Sequence, residues 1–178
     1  MIIEISTAEL FFDIKNKSHH EVASIQDVNL RYVAEAGTEN DHEIYRCITD
    51  AEAKIRLMCG KFLVSAEEVE ETTTPEDATP ASEEGAPSDS HDNSLQDNVP
   101  IAYKYTFVDN PRRQDNRGRV IANGMHSAIV SMALSKFYIS VNQMELSKAH
   151  DELANRSVAL LEKMLYEKVQ PTQPTWNL

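Results

Sequence analysis

The spacing of apolar residues is most regular in the last third of the chain, where it predicts two long helices between Arg119 and Lys168. The first is apolar almost all the way round, from Ala128 to Leu134 and from Phe137 to Val141, which is typical of a helix buried on several sides. The second is amphipathic, and Asn142 followed by Glu145 has the spacing of a capping box. Its predicted apolar stripe comprises Leu146, Ala149, Leu153, Leu160, Leu161, Met164 and Leu165.

Small polar side chains recur every four residues along the first of these helices, at Asn123, Ser127, Ser131 and Ser135. A row of small side chains allows another backbone to come close. We therefore predict that Ser127, Ser131 and Ser135 dock against another subunit.

The N-terminal half, residues 1–64, has weaker patterns that predict a short strand followed by helices. Gly37 is expected to end one of them in a left-handed conformation. In the longest helix, Glu52 and Arg56 have the (i, i+4) spacing of an ion pair on a solvated face. The predicted elements are a strand at Ile2 to Ile5 and helices from about Ala8, from Ser18 to Ile25, from Asp27 to Ala36 and from Asp41 to Leu63.

Residues 65–100 form an acidic insert of low complexity, with eleven acidic residues and no Lys or Arg. The rest of the chain has 18 acidic and 17 basic residues, so the insert carries −11 of the net charge of −12. Few large apolar side chains are present to offset the ordering entropy, so a long acidic loop is expected. The alternation from Ile101 to Phe107 then predicts a half-buried strand that pairs with the opening strand or with residues just after Leu63.

These patterns predict a mainly α fold, a helical bundle with a small β-hairpin or short antiparallel strands and a long acidic loop. At 178 residues the chain suits one ordinary domain. In this division residues 1–64 and 101–168 complete the same domain, and 169–178 form an extended tail. Cys47 and Cys59 lie on one predicted helix about 18 Å apart, beyond disulfide reach, which favours reduced thiols in an intracellular compartment.

The segment before the first long helix contains four arginines and one acid. The arginines are Arg112, Arg113, Arg117 and Arg119. Because guanidinium groups suit phosphates and carboxylates alike, three interpretations stay open: contact with DNA or RNA, ion pairs with acidic residues of a partner subunit, or a solvated loop.

The tail combines Pro171 and Pro174 with the only tryptophan, Trp176. Prolines three apart favour an extended peptide, so we predict docking on another chain. The alternative is a tail that frays or folds back on its own domain.

The sequence shows no catalytic, phosphate-binding or metal-ligand motif. His19 and His20 are adjacent and would point about 100° apart on a helix, while His126 and His150 fall on separate helices. We expect no enzymatic activity, cofactor or metal. We also expect no signal peptide, because the first residues, Met1 to Glu4, offer no basic start, and no membrane span.

Several segments together resemble the head-to-tail connector (adaptor or neck ring) proteins of tailed bacteriophages, of the kind found in phages of Bacteroides-like bacteria. The resemblance covers roughly Met1 to Leu63 and Ile101 to Lys168. It is based on the stretches Ala8 to Ile14 and Glu43 to Ala51 and on the paired helices around Met132 to Leu134 and Leu160 to Leu161.

The resemblance implies a non-enzymatic structural protein of the virion neck, assembled in the bacterial cytoplasm. Such proteins form homo-oligomeric rings, often of twelve copies, that dock on the portal protein, contact other neck or tail proteins and surround the DNA channel. It would place the arginine segment near the portal or the channel wall. The alternative interpretation is a bacterial regulatory or adaptor protein that binds a basic partner through its acidic loop.

Overall fold

The computed structural model describes residues 1–70, 99–108 and 117–166. Their fold is mainly α with short antiparallel strands, as predicted, and comprises five helices and one three-stranded sheet. The elements, in order, are β1 (Ile2–Ser6), α1 (Thr7–Val22), α2 (Val28–Ala34), a 3-10 turn (Thr38–Asn40), α3 (Asp41–Cys59), a second 3-10 turn (Gly60–Phe62), β2 (Leu63–Val69), β3 (Ala102–Phe107), α4 (Arg117–Ser140) and α5 (Met144–Tyr166).

The sheet has the order β1-β3-β2, so the last strand in sequence lies in the centre. Its inner face buries Ile3, Ile5 and the alternate aromatic side chains of β3, Tyr103, Tyr105 and Phe107. On the outer face, Lys104 pairs in register with Glu4 on one side and Glu67 on the other. A charged row of this kind suits a solvated sheet face.

The helix α4 is the centre of the core. Every residue from 128 to 135 is buried, because α5, α3, α1 and β1 all pack against this helix. A methyl group at Gly124 would lie 3.3 Å from Cγ of Leu161 and 3.5 Å from Cε of Met164. The absence of a side chain at Gly124 therefore lets α4 and α5 approach closely.

The turn between α4 and α5 differs from the predicted capping box. Asn142 has φ 59°, in the left-handed region that asparagine tolerates better than most residues. Its amide donates to the Ile139 carbonyl at 3.1 Å, and the Gln143 amide donates to the Tyr138 carbonyl at 2.7 Å. These two bonds form a Schellman motif that ends α4. Asn142 therefore ends one helix instead of capping the next.

The buried face of α5 also differs from the predicted stripe. The residues that face the core are Ser147, His150, Ala154, Leu161 and Leu165. Ala149, Leu153 and Leu160 are exposed instead. The prediction placed the larger side chains of this helix in the core. In the structure, small and polar side chains take several of those positions and allow α5 to lie close to α4.

Three details in the N-terminal half also correct the predictions. One continuous α1 replaces two helical pieces. Gly37 has φ −76°, because α2 has already ended at Ala34 in extended backbone, so no left-handed cap is needed. The acidic insert begins later than residue 65, because Ser65–Val69 belong to β2, where Glu67 pairs in register with Lys104. Both proposed partners of the strand at 102–107 are confirmed.

Candidate functional site

The clearest candidate contact surface is α2, a seven-residue helix whose apolar side chains mostly face outward. Ala34 is its only buried residue. Val28 is 77 % exposed and Tyr32 67 % exposed, and Leu30 and Val33 are exposed as well. Isolated exposed apolar residues are ordinary on protein surfaces, but four on one short helix make it a candidate binding surface.

Polar contacts hold α2 at both ends. The Asp27 carboxylate caps it by accepting from the amides of Asn29 at 2.9 Å and Leu30 at 3.2 Å. At the other end, the buried Ser18 hydroxyl donates to the Ala34 carbonyl at 3.4 Å and accepts from the Ala36 amide at 2.8 Å. The helix is thus fixed to α1 while its apolar middle stays uncovered by the described residues.

Two of the four arginines of the predicted contact site belong to the described part of the chain. Arg117 and Arg119 lie on the first turn of α4, which carries no acidic residue. Positive charge at a helix N-terminus is unfavourable with respect to the helix dipole. Arg112, Arg113 and Trp176 lie outside the described residues.

The serine row of α4 is used within the chain. Ser131 and Ser135 are buried. The Ser135 hydroxyl donates to the Ser147 carbonyl of α5 at 3.1 Å. These two serines therefore do not offer a surface to another subunit, because α5 of the same chain makes the close approach that the small side chains permit. Ser127 is half-buried, and its role in docking stays a prediction.

A polar cluster that sequence spacing did not reveal joins α1, α4 and α5. Oε2 of Glu21 accepts a hydrogen bond from the Tyr138 hydroxyl at 3.0 Å and lies 2.7 Å from Nε2 of the buried His150. Burial alone would raise the pKa of Glu21, but the hydrogen bond and charge of His150 and the hydrogen bond from Tyr138 outweigh it and leave that pKa below its ordinary value. No serine, threonine or cysteine is hydrogen-bonded to His150, so the cluster lacks the arrangement of an activated nucleophile among the described residues.

A second polar cluster places a charge inside the core. Glu52 is 2 % exposed, so its predicted position on a solvated face is wrong. The ion pair with Arg56 is confirmed, with Nε of Arg56 3.0 Å from Oε1 of Glu52. The Tyr105 hydroxyl donates to the same oxygen at 3.1 Å. The carboxylate thus links α3 to the central strand, and the spacing rule could not reveal a partner 53 residues away.

The histidines and cysteines do not assemble into a metal site within residues 1–70, 99–108 and 117–166. His126 instead pairs with Asp13, with Nε2 and Oδ2 2.9 Å apart, across a groove between α1 and α4. Cys47 and Cys59 are both buried and free. Their thiol pKa is raised to about 11, chiefly by burial, which makes them unreactive.

Within the described part of the chain, no helix is both long enough and apolar enough to cross a membrane.

Comparison with protein-family models, curated proteins and solved structures finds no match to this chain.

Proposed function

We propose that this protein is a structural virion protein, a subunit of the connector ring between the head and the tail of a tailed bacteriophage. In this role copies of the chain assemble around the DNA channel and dock on the portal protein. The proposal rests on the sequence resemblance together with one structural observation, the exposed apolar side chains of α2. A subunit that works through contacts needs such a surface.

The start of α4 adds support from electrostatics. Arg119 is exposed and lies where the helix dipole disfavours positive charge. A carboxylate of the portal or a phosphate of the DNA would offset that cost, since arginine binds both as a fork.

Native mass spectrometry of the purified protein, first alone and then mixed with a candidate portal protein, tests the proposal. We expect a discrete high-order ring, either alone or on the portal. A monomer or dimer that does not bind the portal would contradict it and would favour an adaptor that binds a basic partner through the acidic insert.

A matched pair of variants tests the contribution of α2. Tyr32→Ser combined with Val33→Ser should reduce ring formation or portal binding, because it removes apolar area that a partner would cover. Leu57→Ser is the control, since Leu57 is an exposed apolar residue on α3 at 82 % exposure. Equal assembly of both variants would exclude α2 as the contact surface.

A further inference from the structure

The exposed side of α5 carries a second apolar surface that the fold leaves uncovered by the described residues. Leu146, Leu153 and Leu160 recur every seven residues, so they lie in one line along the helix, and Ala149 lies beside it. Leu153 is 46 % exposed, Leu160 is 60 % exposed, and Ala149 is exposed. Leu146 is half-buried at the border with the core face. We call these four residues the outer stripe.

The outer stripe is separate from the surface by which α5 joins its own core. At about 100° per residue, the outer stripe lies roughly a quarter of a turn away from Ala154 and Leu161. Helices with a seven-residue apolar repeat commonly pack against another helix through that repeat. The geometry therefore calls for a helical partner, and the charges beside the stripe indicate which one.

The charged residues along one border of the outer stripe are ordered by sign. Glu145 and Glu152 come first, and Arg156 and Lys163 follow. Glu145 and Lys163 each lie nine residues from Ala154, and Glu152 and Arg156 each lie two residues from it. If two copies of α5 lie antiparallel and are centred on Ala154, each of these acidic residues is therefore at the level of a basic residue of the other copy.

We propose that α5 pairs with α5 of a second copy of this chain, antiparallel and centred near Ala154. In that arrangement Glu145 of each copy faces Lys163 of the other, and Glu152 faces Arg156. The two outer stripes meet with Ala149 close to Leu160 of the other copy. Because the same surface is used by both copies, the contact has two-fold symmetry.

Within one chain these charges are only loosely engaged. Glu152 and Arg156 lie 3.7 Å apart, and their side chains are 73 % and 75 % exposed. Exposed pairs of this kind contribute little to folding, so they are available to set the orientation of a partner. The two-fold pair is distinct from the head-to-tail contact that closes a ring, and it does not depend on the proposed function.

Charge reversal tests this pairing with the full chain. Variant A carries Glu145→Lys and Glu152→Lys, and variant B carries Arg156→Glu and Lys163→Glu. Each variant alone sets like charges against one another, so we expect its dimer Kd to rise at least tenfold by sedimentation equilibrium. An equimolar mixture should recover association, because every pair then joins opposite charges.

The control variant carries Asp151→Lys and Glu162→Lys, which make the same charge change on the opposite flank of α5, and it should dimerise like the wild type. Circular dichroism of each variant separates loss of pairing from loss of folding. A mixture of A and B that associates no better than either alone would overturn the proposal, as would a wild-type chain that stays monomeric. A dimer Kd that is unchanged in both A and B would also overturn the α5 pairing, and a ring on the portal that persists in both variants would leave the connector function in place.

A cysteine at the centre of the stripe gives a second readout. Leu153→Cys should form a disulfide-linked dimer under mild oxidation, since the two copies bring residue 153 together near the two-fold axis. The native thiols Cys47 and Cys59 are buried and should not interfere. Leu57→Cys on α3 is the control. Cross-linking no faster at 153 than at 57 would contradict the arrangement.

Discussion

The hydroxyl of Tyr105 on the central strand donates a hydrogen bond to the buried carboxylate of Glu52 on α3, at 3.1 Å. Glu52 also binds Arg56, whose Nη2 lies 3.6 Å from Oε1 of Glu68 on β2. One buried carboxylate thus connects a helix with the central strand and, through Arg56, with an edge strand.

Glu52→Ala should destabilise the fold by about 2–4 kcal/mol, because it opens a cavity and leaves the Tyr105 hydroxyl buried without an acceptor. Urea denaturation monitored by circular dichroism measures the change. Lys54→Ala, at an exposed position of the same helix, should change stability by less than about 0.5 kcal/mol. Equal effects of the two substitutions would show that the buried carboxylate is not important to the fold.

Stability should fall in acid through Glu21. Its pKa is below the ordinary value of 4.5 in the folded protein, so its contribution is present above that pH and is lost as the pH falls through the folded pKa. The midpoint of urea denaturation of the wild type, measured from pH 6 to pH 3, should drop more steeply than that of Glu21→Gln. Parallel curves would mean that the contacts with His150 and Tyr138 do not favour the charged carboxylate.

The close approach of α4 and α5 should be sensitive to volume at Gly124. Gly124→Val places side-chain atoms against Leu161 and Met164, and we expect a loss of about 1–3 kcal/mol by thermal denaturation. Gly60→Ala provides the contrast, because a methyl group there meets nothing within 4 Å and the backbone has helical angles. It should raise stability by about 0.4–1 kcal/mol. Tolerance of valine at 124 would show that the helices can separate there.

The two thiols should react slowly in the native protein. Burial raises the pKa of Cys47 and Cys59 from 9.0 to about 11, which lowers the thiolate fraction at pH 8 by about a hundredfold. Titration with a chromogenic disulfide reagent should therefore detect both thiols rapidly in urea and only slowly in its absence. Rapid native reaction of either thiol would show that its part of the core opens frequently.

The sequence was a good guide where the apolar pattern was unambiguous. Helix α3, the paired helices α4 and α5 and the strand β3 follow the predicted order, because a run of buried positions leaves few alternatives. It anticipated a partner strand just after Leu63, but it assigned the glutamates of β2 to the acidic insert. Their place in the strand depends on Arg56 and Lys104, which are distant in sequence.

The candidate contact surfaces were harder to predict than the fold. Periodicity assigned Leu153 and Leu160 to the core, but the structure buries Ser147 and Ala154 on that face. Ser135 of α4 is buried as well, and its hydroxyl donates to the Ser147 carbonyl. A pattern of side-chain types identifies an apolar face, whereas the separation of the helices decides which face is buried.

The strand order has a consequence for how the chain folds as it is made. Ile2 pairs with Thr106, so β1 cannot pair until β3 has been synthesised, and the same holds for β2. Because β3 lies between the two edge strands, neither of them has a partner until Phe107 has left the ribosome. The helices α1 to α3 are therefore complete in the growing chain before any part of the sheet can form, and closure of the sheet is a late, long-range step.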